Sequence, residues 1–347
     1  MQPQVAFNAL ALRPDGTGVQ TYIAELLTAL AERSTGRLRA AVQADASRLL
    51  PARIEPLVRP VSSGLRRTLT GLRSLGPADL VHGLDVDLPL RPGAPTVATV
   101  HDLSVFDVPG SFRGHRALGE QVVVRQALRR ADTIIAVSSF TAERVQARFG
   151  RPAVVVLEAT PTGLTAAPPA AVASVRARYG LPEHFVLHVG TIEARKNLPM
   201  LAEACAQVGV PLVLAGALPA GQSAPAGSTT LGYVPREHLA ALYGAAAVVA
   251  YPSRYEGFGL PPLEAMCCGA PVVAADATSL PEALGSGAVL VPPTDVGRWA
   301  SVLRALISDE AQRTELAAAG QRWAARRSWH HVAAETVAVY RSYGIEV

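Results

Sequence analysis

The sequence predicts an α/β protein made of two successive units, each built on a parallel sheet. Three observations carry that expectation. Short β-branched runs alternate with Ala/Leu-rich stretches of helical length, which implies strands joined by helices over the sheet faces. The alternation lapses at residues 160–175, in the Ala-, Pro- and Thr-rich stretch PTGLTAAPPAAVAS, and then restarts. A chain of 347 residues is also longer than one ordinary domain needs.

In the first half, strands are expected at residues 4–8, 39–43, 78–82, 96–101 and 133–137, with helices at 19–33, 116–130 and 141–149. Residues 160–175 read as a linker. Beyond it, strands are expected at 184–189, 211–216, 246–251 and 271–274, with helices at 198–207 and 236–243 and another opening at Pro261. Residues 310–343 read as nearly continuous helix with a break near 327–329. These spans define units at 1–170 and 171–328 and a terminal helix at 329–347. Two such units facing one another leave a cleft between the carboxyl ends of both sheets, where ligands usually bind in this architecture.

The composition is globular, with 49% hydrophobic and 17% charged residues, and the 29 Gly and 27 Pro are dispersed, which excludes a disordered or fibrous chain. Aromatic residues make up only 5%, so the core falls to Ala, Val and Leu. A net charge of +4 is too modest to point to nucleic acid. The paired arginines Arg66/Arg67, Arg129/Arg130 and Arg326/Arg327 read as solvated helix faces, with peripheral contact to an anionic membrane as the alternative. No apolar run reaches the length of a membrane span, and the start MQPQVAFNALAL lacks the pattern of a secretory signal. Three cysteines form neither a disulfide framework nor a metal cluster, which fits a cytoplasmic location, with the inner membrane surface as the site of any membrane contact.

The densest chemical signal is YPSRYEGFGLPPLEAMCCGAPVVA, residues 251–274. Gly257 and Gly259 allow a tight loop to bring backbone amides against a ligand, with Phe258 and Leu260 interleaved. Pro261 or Pro262 can open a helix whose first-turn amides and positive dipole end suit a diphosphate. Glu264 is expected in that first turn, where a carboxylate can receive a ribose diol. Glu256 precedes the turn and so faces a different part of the ligand. The plainer alternative is that Glu264 stabilises a helix start while the glycines satisfy turn geometry.

A second segment, HVGTIEARKNLPML at 188–201, runs from a strand into a loop bearing Glu193, Arg195, Lys196 and Asn197. Lys196 can offset charge on a leaving diphosphate. Arg195 either adds forked contacts to the same oxygens or pairs with Glu193.

These two segments resemble the retaining glycosyltransferases of family 4, especially bacterial mannosyltransferase-like enzymes acting on polysaccharide or glycolipid acceptors. The resemblance implies a GT-B fold: two facing Rossmann-like domains with a C-terminal crossover helix. It maps the acid near the transferred sugar to Glu256, the ribose acid to Glu264 and the diphosphate lysine to Lys196. It places Gly16–Thr17–Gly18 as the glycine loop of the first unit, and His101, in VATVHDLSVFD, near the transferred sugar. Asp102 either orients that histidine or caps the next segment, and Thr141 is a candidate helix cap beside Ser138 and Ser139. Ser279 and Leu280, in DATSLPEALGSGAVLVPPTD, map to the wall of the base or ribose pocket. Two departures stand out: Thr191 occupies the place of a common arginine, and Glu158–Ala159–Thr160–Pro161 replaces a common asparagine-glycine turn.

The resemblance implies transfer with retention from a nucleotide sugar, with GDP-mannose as the expected donor, to a glycan or glycolipid hydroxyl. The acceptor proton would pass to a departing phosphate oxygen, with double displacement through Glu256 as the alternative. No aspartate-rich motif has metal-ligand spacing, so a metal-independent reaction without a further cofactor is expected. A nucleotide-sugar sensor without turnover is the alternative of a different class.

Overall fold

The computed structural model describes residues 3–14, 16, 18–108, 115–219 and 221–347. Contacts divide the chain into residues 1–161 with 328–347, and residues 162–327.

The first unit runs β1 (Gln4–Asn8), α1 (Gly18–Arg33), β2 (Arg37–Gln43), β3 (Ile54–Arg59), α2 (Gly64–Gly71), β4 (Leu80–Gly83), β5 (Thr96–Val100), α3 (Ser104–Asp107), α4 (His115–Arg130), β6 (Thr133–Ala136), α5 (Ser139–Phe149) and β7 (Val154–Val155). Its seven strands lie in the order β3-β2-β1-β4-β5-β6-β7, and every pairing is parallel. Both the reversal of order around β1 and the full burial of β4 and β5 mark a doubly wound sheet covered on both faces.

The second unit runs α6 (Pro169–Tyr179), β8 (Val186–Val189), α7 (Leu198–Val208), β9 (Leu212–Ala215), β10 (Ser228–Gly232), α8 (Arg236–Ala245), β11 (Val248–Tyr251), α9 (Leu260–Cys267), β12 (Val272–Ala275), α10 (Leu280–Leu284), β13 (Val289–Val291), α11 (Val296–Ser308) and α12 (Glu310–Ala324). Its parallel order is β10-β9-β8-β11-β12-β13. The chain reversal places β8 and β11 side by side at the switch point, where the loops leaving adjacent strands diverge.

The last helix, α13 (Trp329–Arg341), packs in the first unit against α1. A buried polar chain fixes it there. The Tyr340 hydroxyl lies 2.6 Å from His82 Nδ1, His82 Nε2 lies 2.9 Å from Thr99 Oγ1, and Thr99 lies 3.2 Å from the Tyr22 hydroxyl. Trp329 stacks edgewise on Tyr22 with ring centroids 5.7 Å apart.

Two local expectations change. The stretch read as a linker becomes helix from Pro169 onward, because the run AAVASVRARY has good helix formers and a proline is tolerated in the first turn. Its Arg176 donates to the carbonyls of Pro182 and Ala245. The cap of α5 is Ser138 rather than Thr141: Ser138 Oγ accepts the Thr141 amide at 3.0 Å, and the buried Thr141 hydroxyl receives the Ser138 hydroxyl at 3.1 Å.

Candidate active site

The loop after β8 makes a 3-10 turn at Ala194–Lys196 and ends at Asn197, whose left-handed φ of 56° is anchored by its side-chain amide on the Pro293 carbonyl at 2.7 Å. That turn aims two cations at one acid. Lys196 Nζ lies 2.6 Å from Glu256 Oε1, and Arg195 Nη1 lies 3.0 Å from Glu256 Oε2. Arg195 also donates through Nε to Glu193 Oε2 at 2.9 Å, so it serves Glu193 and Glu256 together. Its Nη1 reaches the Tyr255 carbonyl as well, at 3.0 Å.

Burial pushes the Glu256 carboxyl up, but Lys196 and Arg195 outweigh it and hold the group at about 2. Burial draws the Lys196 ammonium down from its ordinary range against the opposing pull of Glu256. Glu193 and Glu256 together balance the two cations, so an arriving dianion can engage Lys196 and Arg195 only in competition with these carboxylates.

The loop 256–259 is fastened from behind. Glu256 N donates to Thr278 Oγ1 at 3.2 Å, and Ser279 Oγ donates to the carbonyls of Glu256 and Phe258 at 2.9 and 2.8 Å. Thr278 adopts a left-handed φ of 55° to reach this position. Gly259 has φ 120° and no room for a side chain, since a Cβ there would come within 2.9 Å of Leu280 Cδ2. Ser279 and Leu280 are therefore fully buried behind the loop rather than lining a pocket wall, and Phe258 and Leu260 are likewise buried.

Helix α9 starts at Leu260, one residue before the prolines, so Glu264 falls in its second turn and not its first. The prolines also remove two of the amides that the helix start was expected to offer. Of the cap and first three helical positions, Gly259 and Leu260 retain N–H donors. An anion here depends correspondingly more on Lys196, Arg195 and the glycine loop. Glu264 Oε2 accepts the hydroxyl of the buried Tyr243 at 3.3 Å. Burial raises the Glu264 carboxyl, while the nearby charge of Arg236 and the Tyr243 bond draw it back.

His188, fully buried on β8, was not foreseen. Its Nδ1 bonds the Ala250 carbonyl at 2.9 Å, while Nε2 has no hydrogen-bond partner among the described residues. Burial holds the imidazole neutral, at about 4. Tyr243 was missed as well; nothing in a single sequence links it to an acid 21 positions away.

In the first unit, Gly16 and Gly18 flank the start of α1, with Thr17 outside the described residues. His101, just past β5, has both ring nitrogens engaged: Nε2 with the Leu84 carbonyl at 2.9 Å and Nδ1 with Glu158 Oε1 at 3.3 Å. Its orienting acid is thus Glu158, from the segment that departs from the common turn, whereas Asp102 Oδ1 accepts the Ser104 amide and hydroxyl. Among the described residues no group of three His, Cys, Asp or Glu side chains is placed to hold a metal ion.

A doubly wound sheet with an acid, two cations and a glycine loop at its carboxyl edge defines the class of proteins that handle phosphorylated ligands at a switch point. Comparison narrows the class. The description "Glycosyl transferases group 1" matches residues 175–323, and "Glycosyltransferase Family 4" matches residues 16–158. The O-antigen chain mannosyltransferase B of Escherichia coli is 32% identical over 282 residues, covering 76% of this chain and 74% of that protein. The serotype-specific mannosyltransferase WbdA of Escherichia coli is 35% identical over 178 residues, 46% of this chain but only 22% of its own length. Anabaena Alr3699/HepE, solved with UDP-glucose, superposes with a TM-score of 0.75 at 20% identity over 98% of this chain and 100% of that one, a likeness of fold. The chain belongs to the glycosyltransferases of group 1 and family 4, and its two parallel-sheet domains have the GT-B fold.

Proposed function

We propose that the protein transfers a mannosyl group, with retention of configuration, from GDP-mannose to a hydroxyl of a glycan or glycolipid, in the cytoplasm at the inner membrane surface. The observation that carries this reading is the convergence of Lys196 and Arg195 on Glu256, directly before the glycine loop and the helix that bears Glu264. In this reading the donor diphosphate takes over the two cations from Glu256 and lies against the Gly257–Gly259 backbone, while Glu264 receives the ribose diol. Arg195 supplies the second charge that Thr191 lacks.

Glu256, released from its cations, faces the sugar and stabilises positive character as the glycosidic bond breaks. In this reading the acceptor attacks from the face that the diphosphate leaves, with double displacement through Glu256 as the alternative. The acceptor proton then passes to the departing phosphate oxygen. His101, with both nitrogens engaged, shapes the carboxyl edge of its own sheet. The mannosyl donor is supported by the names of the two Escherichia coli relatives, and a nucleotide sugar in general by the UDP-glucose bound to HepE.

Saturation-transfer NMR with GDP-, UDP-, dTDP- and ADP-sugars tests the donor. Competition confined to GDP-mannose supports the reading, and preferential binding of a UDP-sugar overturns the mannosyl assignment. The anomeric configuration of the product, read from its one-bond C–H coupling, tests retention.

A further inference from the structure

The two central strands of the second sheet diverge before either one ends. β8 and β11 pair with each other only at Val186 with Val248 and at Leu187 with Val249. Each then runs on beside its outer neighbour alone, His188 and Val189 against β9, Ala250 and Tyr251 against β12. The gap that opens between them is the switch-point crevice of a doubly wound sheet, and the loops bearing Lys196 and Glu256 leave from its two sides. His188 stands at that fork. Its Nδ1 donates to the Ala250 carbonyl at 2.9 Å, where the ladder between the two strands has stopped.

A carbonyl only accepts, so this bond keeps the ring's proton on Nδ1 and leaves a bare lone pair on the buried Nε2. A buried acceptor without a partner costs stability that an apolar side chain of similar size would not. The surroundings of the ring are charged. Lys196 and Arg195 act on it from the turn after β8 and Glu256 from the loop after β11, while the Tyr251 ring lies tilted against it with centroids 5.1 Å apart. Toward Gly190 there is open room: a Cβ on that glycine would lie 3.6 Å from Nε2 and meet nothing else within 4 Å outside the adjoining residues. Burial first, and then the two cations, hold the ring neutral against the Ala250 bond and the pull of Glu256. A diphosphate that engages Lys196 and Arg195 brings negative charge beside the ring and favours its charged form.

We propose that His188 is a positioning residue for the donor: when the nucleotide sugar binds, Nε2 takes up a proton from solvent, and the imidazolium becomes a third cation beside Lys196 and Arg195 that holds the diphosphate. The inference rests on the donor reading given above. The lone pair of Nε2 forms the new N–H bond, Nδ1 keeps its proton and its bond to Ala250, and the added proton returns to solvent when the nucleoside diphosphate leaves. The free protein thus carries the site's extra positive charge only while a ligand is there to need it, which spares the cluster a third buried cation beside Lys196 and Arg195.

The test is calorimetric titration of the full chain with GDP-mannose and with UDP-glucose at about pH 5.5, in buffers of differing ionisation enthalpy, which counts the protons bound with each ligand. A sugar diphosphate has no group that titrates near that pH, so the protons counted belong to the protein. Uptake should be greater in the parent than in His188→Asn by about half a proton or more. Asn keeps an N–H donor at the reach of Nδ1, so the bond to Ala250 survives while the titrating nitrogen is lost. The difference between the two chains also cancels protons exchanged by Glu256 and Glu264. In the parent, the nitrogen resonance of His188 Nε2 should move from the range of a bare nitrogen to that of an N–H when ligand is added, a signature that a purely structural histidine does not give and that needs no variant. Ligand binding with equal proton counts in the two chains, or with an unmoved Nε2 resonance, overturns the proposal and leaves the donor reading standing. So does an Nε2 already protonated in the free protein. Binding of neither nucleotide sugar overturns the donor reading, and the proposal falls with it.

Discussion

At the scale of single residues, the site balances charges that are almost entirely buried. Glu256 keeps both Lys196 and Arg195 compensated, and removing one partner from such a cluster leaves an unpaired charge at low dielectric. Glu256→Gln is therefore expected to lower stability by about 3 kcal/mol, read from the urea midpoint. It should also cut transfer by about a hundredfold or more, because the carboxylate proposed to stabilise the sugar is gone. A variant that keeps full stability and full transfer would remove Glu256 from both roles. Tyr243→Phe probes the second acid more gently. Without the phenolic hydroxyl, Glu264 loses one of the two influences that draw its raised carboxyl back toward its ordinary value. A ribose diol needs the ionised form, so donor affinity is lost as pH falls through that value, and in the variant the loss must begin at higher pH. The donor KM should rise about fivefold with kcat unchanged. If the acid limb of the KM profile stays in place while only the melting point drops, Tyr243 is a packing residue.

At the scale of elements, the central strands and the two signal-bearing loops were legible in the sequence, and the strands that escaped notice share a position. β3, β7, β10 and β13 are the four edges of the two sheets. Two of these edges, β3 and β10, are partly exposed and carry residues such as Glu55 and Pro56 or Ser228 and Thr229, so they lack the continuous apolar run of β11, whereas β7 and β13 are apolar but only two and three residues long. The site was legible where one segment supplied it, as in Glu256 to Glu264 and Arg195–Lys196. It was illegible where partners come from separate strands, as with His101 and Glu158, 57 positions apart. The loop joints also carry constraints that sequence alone states only as "glycine". Gly216 has φ 154°, and a Cβ on it would stand 2.0 Å from the Gly190 carbonyl oxygen, between the ends of β9 and β8. Gly216→Ala should cost about 3 kcal/mol and shift the loop bearing Lys196. Gly180→Ala, at a left-handed helix end with open space around it, should cost about 1 kcal/mol. Equal melting points for the two variants would contradict the close approach of the two loops.

At the scale of the whole molecule, each unit has a buried neutral histidine tied to its sheet, and the pair predicts an acid-sensitive fold. Burial holds His82 at about 3 and His188 at about 4, against an ordinary value of 6.5. Between 6.5 and those values the unfolded chain binds a proton at each position that the folded chain refuses, so stability is complete above 6.5 and falls as pH falls. The slope is about 1 kcal/mol per pH unit for each histidine. His101 works in the opposite sense. Burial lowers it, but Glu158 raises it more, so its share is present below 6.5 and fades as pH rises through the raised value. Glu256 enters only lower down, its contribution being lost as pH falls from its ordinary 4.5 toward about 2. Asp87, lifted to about 6 chiefly by burial, takes up a proton in the fold well above its ordinary 3.8 and so opposes the loss from there down, which leaves the interval just below 6.5 to His82 and His188, one in each unit. Melting curves recorded across this range should show the acid slope in both units. His188→Gln should flatten it in the second unit alone and His82→Gln in the first alone, where it would also loosen α13 by breaking the bond to Tyr340. A slope that persists unchanged in the double variant would mean that other groups drive the acid transition and that the two histidines accept protons within the fold.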